Sequence, residues 1–93
     1  MRAYILSYDR NPSKYDYKSI HSKITKNPMI KNWSHYLNSS YILISENNVN
    51  ELSDYIRKVM PKHRFLLLEV DLRKSNGWLP QEAWDWINKN KIL

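Results

Sequence analysis

The chain has no cysteine and a single glycine among its 93 residues. Without thiols it can form no disulfide framework, thiolate metal site or cysteine nucleophile, which fits a reducing compartment. With Gly77 alone it has no glycine-rich loop to cradle nucleotide phosphates, which argues against an ordinary nucleoside-triphosphate hydrolase. Acidic residues are also scarce, 9 against 15 Lys and Arg, so the formal net charge is +6 and the chain draws anions. Long apolar runs are missing too. The opening stretch Met1 to Asp9 is too short for a signal-peptide core or a membrane span, so a soluble, unprocessed, cytoplasmic protein with no membrane partner is expected. No linker or repeat interrupts residues 1–93, which read as one domain. A domain of this size buries only roughly 60–65% of its unfolded surface.

What the chain does have is three strand-like segments that are apolar on both alternating faces: Arg2 to Tyr8, Tyr41 to Ser45 and Arg64 to Leu72. One face carries Ala3, Ile5, Ile42, Ile44, Leu66, Leu68 and Val70. The other carries Tyr4, Leu6, Tyr8, Tyr41, Leu43, Phe65 and Leu67. A sheet with two apolar faces needs two covers. The aliphatic set suits a helix layer of the same chain, and the aromatic set matches the composition of interface cores, so those seven residues are expected to form a homodimer interface.

Between these segments the pattern is helical. Tyr17, Ile20 and Ile24 recur at helix spacing after Asp16, a candidate N-cap, and Asn27-Pro28 stops the run. Trp33 to Leu37 reads as a strand joined through Asn38-Ser39 to Ser40 to Ser45 as a hairpin. Asn48 and Glu51 form a capping-box pattern ahead of the stripe Val49, Leu52, Ile56, Val59 and Met60, which Pro61 ends. Pro80, Gln81 and Glu82 open a last helix through about Asn90. The order is strand, helix, strand, strand, helix, strand, helix. It predicts an α+β, ferredoxin-like βαββαβ sandwich with an added C-terminal helix.

Candidate chemistry is sparse. His35 and Tyr36 lie in a stretch rich in hydrogen-bonding side chains, including Ser39. A histidine near an aspartate of the same sheet can serve as a general base or phosphate ligand, or simply as a structural hydrogen bonder at a strand edge. Lys14, Lys18, His21 and Lys26 suit the outer side of the first helix, while Arg57, Lys58, Lys62 and Arg64 gather about the end of the second. Repeated by a two-fold axis, such clusters fit a duplex or a symmetric dinucleotide; singly they are solvated faces, and the second also complements a helix C-terminus. His21 and His63 have no partners recognisable from spacing, and three scattered histidines make no zinc motif. Trp78, Trp84 and Trp86 offer base-stacking faces, but packing of the last helix on the sheet explains their spacing better.

Three stretches carry a resemblance: Tyr4-Ile5-Leu6-Ser7-Tyr8-Asp9, the segment from Trp33 through Ile44, and the ending Gly77-Trp78-Leu79-Pro80-Gln81-Glu82-Ala83-Trp84-Asp85-Trp86-Ile87. Together they resemble the small SinR-like bacterial and phage proteins, relatives of the CRISPR-associated Cas-two superfamily and of VapD ribonuclease toxins. The loop after Asp9 lacks the glycine of that pattern, and Tyr41 stands where it has Trp. The resemblance implies a ferredoxin-like homodimer that binds nucleic acid, with Mg²⁺-dependent endoribonuclease activity in some relatives. Asp9 is then the metal-binding and catalytic residue, two copies holding a divalent cation near the dimer axis, and His35 joins it as a catalytic candidate. Lys14, Lys18, Tyr36, Ser39, Arg57, Lys58 and Lys62 are the ligand-binding candidates. A different class stays open beside this one: a non-catalytic, defence-related protein that sequesters a signalling nucleotide or blocks a protein partner.

Overall fold

The computed structural model describes residues 1–91. Seven elements follow one another: β1 (Arg2–Tyr8), α1 (Tyr17–Thr25), β2 (Asn32–Leu37), β3 (Ser40–Ser45), α2 (Val49–Val59), β4 (Phe65–Val70) and α3 (Gln81–Lys89). Every predicted element is present, with β4 shorter at both ends than its apolar run. Local chemistry explains the helix starts. The Asp16 carboxylate accepts from the Lys18 and Ser19 amides at the head of α1, and Asn48 and Glu51 close both halves of the capping box on α2. Each satisfies amides that the first turn leaves without carbonyl partners. Pro80 stands at the N-cap of α3 with no side-chain cap, its fixed φ already near helical values.

The strands form one antiparallel sheet in the order β2-β3-β1-β4. Leu6 of the central strand β1 lies between Tyr41 and Leu67, and Ile5 lies between Ile42 and Leu68. The chain is thus an α+β fold, with α1 and α2 on one face of the sheet. Among the described residues no helix is long and apolar enough to cross a membrane.

Which face the helices cover reverses the expectation. Tyr4, Leu6, Tyr8, Tyr41, Leu43 and Leu67 are buried in the main core with Ile20 and Ile24 of α1 and Leu52, Ile56 and Val59 of α2, and Phe65 packs at its margin. Six of the seven expected interface residues, Tyr4, Leu6, Tyr8, Tyr41, Leu43 and Leu67, are therefore the inside of one chain and not a dimer interface, and Phe65 borders them. The reason lies in the phenol. A tyrosine can be buried when its hydroxyl finds a partner. Tyr4 donates to the Asn47 carbonyl at 2.7 Å, Tyr8 to the Asn38 carbonyl at 2.9 Å, and Tyr41 meets His21 Nδ1 at 2.7 Å. Each long ring spans the gap between sheet and helix and delivers its polar end to the rim of the core.

The aliphatic face is covered only in part, by α3. Ala3, Ile44, Leu72 and Ile87 form a second cluster, with Ile42, Val70, Leu79, Trp84 and Trp86 packed against it. Trp86, which helical spacing turns away from Trp84, packs as well and donates its indole N–H to Asn32 Oδ1 at 3.2 Å. Trp78 does not pack. It is 99% exposed, while Leu66 and Leu68 stay open on the same sheet surface.

Candidate functional site

The loop after β1, the start of α1 and the turn into β4 converge at one end of the sheet. His63 sits in that turn after Lys62, whose φ of 59° is uncommon for a residue with a side chain. Strain of this kind persists where surrounding contacts fix it. Here the contacts are the two ring nitrogens of His63. Nδ1 lies 3.1 Å from the Arg64 carbonyl oxygen, which can only accept, so Nδ1 carries the proton. In the neutral ring Nε2 then accepts from the Tyr17 hydroxyl at 2.6 Å. The same hydroxyl oxygen accepts the Asn11 amide at 2.7 Å. One phenol thus ties together the β1 loop, α1 and the β4 turn.

Aromatic rings fill the space around this hub. Tyr15 lies 4.4 Å from His63 centroid to centroid, Tyr8 stacks on Tyr17 at 5.8 Å, and the Arg10 guanidinium sits 4.9 Å above the Tyr17 ring. Further along the core rim His35 stacks on Tyr41 at 4.0 Å, and Trp33 meets His21 edge-on at 4.9 Å. Burial lowers the His35 pKa below its ordinary value, more than the Asn38 carbonyl raises it. Burial likewise pushes the Tyr8 and Tyr41 phenols up, so both stay neutral donors.

Outside the hub three adjoining concavities of about 150, 240 and 380 Å³ share Arg64 in their walls. Together they make a trough that Lys14, Lys62, Arg64 and Arg57 line, with Asp9 as its one carboxylate. The ion pairs seen among the described residues, Arg2 with Glu69 and Arg73 with Asp71, involve none of these cations. Lysines and arginines in such surroundings are free to meet phosphate, Arg with its planar fork and Lys as a point charge.

The sequence-derived candidates therefore separate. Lys14 and Lys62 line the concavity that holds Asp9, and Arg57 lines the adjoining one. Lys18 and Lys58 are exposed on their helices, outside the trough's lining. Tyr36 lines a different groove, on the aliphatic face, and Ser39 lies in the β2–β3 turn, where its carbonyl accepts from the Tyr8 amide. His35 is held against Tyr41 and within 3.4 Å of the Asn38 carbonyl. His35 reaches across β3 to β1, its Nε2 lying 3.5 Å from the hydroxyl of Tyr8, the neighbour of Asp9, and it makes no hydrogen bond to the Asp9 side chain among the described residues. His35 lies on the rim of the core as a stacked hydrogen bonder.

Asp9 is exposed, and its side chain has no hydrogen-bond or ion-pair partner among the described residues; its amide bonds the Arg64 carbonyl at 3.2 Å. No group of three or more His, Cys, Asp or Glu suited to a metal ion occurs among the described residues. A lone carboxylate amid cations is a poor match for Mg²⁺ on its own, since that ion takes one or two carboxylates together with waters and phosphate oxygens.

Sequence reasoning missed Tyr15, Tyr17 and His63 as a unit. The available signal was faint: Tyr17 and His21 share a helix side at i, i+4, and His63 falls between Pro61 and the β4 run. Comparison with known proteins adds no family to this description: no family model matches the chain, and neither a curated protein nor a solved structure matches it.

Proposed function

We propose that this protein is a Cas-two-like, ferredoxin-fold homodimer that binds nucleic acid through the phosphate backbone, with the trough around Arg64 as the contact. The strand order β2-β3-β1-β4 with α1 and α2 on one face supports the ferredoxin-like assignment, α3 being the added helix. The observation that carries the binding reading is the gathering of Lys14, Arg57, Lys62 and Arg64, none of them ion-paired among the described residues, in a chain of net charge +6. The trough extends across three adjoining concavities and does not close into one pocket, which favours a polymer over a small signalling nucleotide.

Fluorescence anisotropy with labelled single-stranded and duplex RNA and DNA tests this reading. Affinity should fall with rising salt, and Arg64→Ala should weaken binding and reduce the magnitude of the log–log salt slope by roughly 0.7–0.9, one phosphate contact. Affinity indifferent to ionic strength would contradict a phosphate-led contact.

Mg²⁺-dependent endoribonuclease activity is the second reading, favoured by the unpartnered Asp9 carboxylate on the trough wall. The donors of one chain do not suffice, so a cation there requires substrate phosphate or Asp9 of a second copy. Asp9→Asn compared with the native protein under Mg²⁺ decides it: equal cleavage by both removes Asp9 from any mechanism.

A further inference from the structure

The sheet surface away from α1 and α2 holds an apolar groove of about 160 Å³ beside α3, lined by Ile5, Leu37, Ile42, Leu79 and Ile87. Ser34 also lines it, a residue only 6% exposed. One residue before Leu79 stands Trp78, 99% exposed. Pro80 keeps Leu79 extended, and in extended backbone neighbouring side chains point to opposite sides. With Leu79 turned into the groove, Trp78 faces away, and it cannot fill its own groove without withdrawing Leu79. Gly77, at a φ of 155° open to glycine, sets the chain on this course.

We propose that the Trp78 indole of one copy seats in this groove of a second copy, the exchange being reciprocal about a two-fold axis. Size supports the match, since an apolar cavity of about 150 Å³ accommodates a benzene-sized ring. The Ser34 hydroxyl on the groove wall offers an oxygen that can accept from the indole N–H. Charge selects the partner. Each chain carries +6, yet the side chains that face this way from the strands beside the groove, Ile5, Ser34, Ser40, Ile42 and Leu68, are all uncharged. Two like-charged copies can meet here without opposing their lysines, and the chain carries both plug and socket. An isologous contact of this kind closes at two subunits. The proposal rests on the dimeric part of the functional reading and not on its phosphate part, because no residue lining the trough lines the groove.

Sedimentation equilibrium across the micromolar range tests it. The native protein should dimerise, and Trp78→Ala, a surface change that leaves the fold intact by its melting curve, should weaken the dimer about thirtyfold or more, the scale of a tryptophan anchor. Ser40→Tyr, which fills the groove from its wall, should also be monomeric. A mixture of the two variants should recover a one-to-one dimer, since each supplies the half that the other lacks. Arg64→Ala should dimerise like the native protein while losing nucleic-acid affinity, which separates the two readings. A monomeric native protein, a Trp78→Ala variant that dimerises undiminished, or a mixture that stays monomeric would each overturn the exchange.

Discussion

The Tyr17 hydroxyl stands 2.6 Å from Nε2 of His63, joining two side chains 46 positions apart. Because the His63 Nδ1 proton is committed to the Arg64 carbonyl, the phenol must donate, and its removal leaves a mostly buried nitrogen unpaired. Tyr17→Phe should cost about 1–3 kcal/mol in urea unfolding, the range for a buried acceptor that loses its partner. The same variant should weaken nucleic-acid binding, since the loop bearing Asp9 and Asn11 loses its tie to the β4 turn. A change in stability within about 0.5 kcal/mol, the ordinary surface value, would show that the hub holds nothing in place.

Acid should destabilise the fold in part through His35. Burial keeps its folded pKa below the ordinary 6.5, so on acidification the unfolded chain takes the proton first. Stability is therefore full above that value and is lost as pH falls below it. Tyr8, Tyr41, His21 and Arg10 surround the ring, and the electrostatic influence of His21 and Arg10 adds to burial in lowering its pKa. His35→Phe keeps the stack on Tyr41 and removes the titration. Its unfolding free energy should fall less steeply between neutral and mildly acidic pH than that of the native protein, and an unchanged slope would exclude His35 as a contributor.

At the alkaline end the sign is opposite. Burial raises the folded pKa values of Tyr41 and Tyr8 above the ordinary 10.0, so the unfolded chain loses those protons first and stability declines as pH rises past that point. Phenolate absorbance should show a late step coincident with loss of the fold, and Tyr41→Phe should shrink it. A Tyr41 that ionises with the exposed tyrosines would refute its placement in the core.

The reversed sheet faces give a direct comparison. Leu6 has no exposed surface under the helices, whereas Leu68, one strand away on the opposite face, is 49% exposed. Leu6→Ala should cost about 2–5 kcal/mol, and Leu68→Ala in the isolated subunit should stay within about 0.5 kcal/mol. Equal costs would return the helix layer to the aliphatic face.

Helix α2 offers a local control. Asn48 accepts the Glu51 amide at 2.9 Å while Glu51 accepts the Asn48 amide at 3.3 Å. Asn48→Ala should cost roughly 0.5–2 kcal/mol with no effect on dimerisation or nucleic-acid binding.

The residues that announce themselves in one dimension are those whose role is local. Asp16, Asn48, Pro61 and Pro80 mark helix ends because capping and φ restriction act within a few positions, and the two-residue alternation of β1, β3 and β4 marks strands for the same reason. From such signals the order of elements follows, and so does the need for two covers on the sheet.

Which cover goes where was decided by tertiary contacts. Alternation says that two faces differ without saying which faces inward, and a tyrosine suits either a dimer core or a domain core until its hydroxyl has an address. Asn47, Asn38 and His21 supply those addresses from 43, 30 and 20 positions away. Tyr17 with His63, the trough that unites Lys14 with Arg64, and the groove beside α3 likewise depend on loops folding back on one another across the sheet. Sequence by itself determined the elements, their order, the basic charge and the absence of thiol chemistry. The site emerged only in three dimensions, because hydrogen bonds between distant side chains and the gathering of unpaired cations leave no periodic trace along a chain.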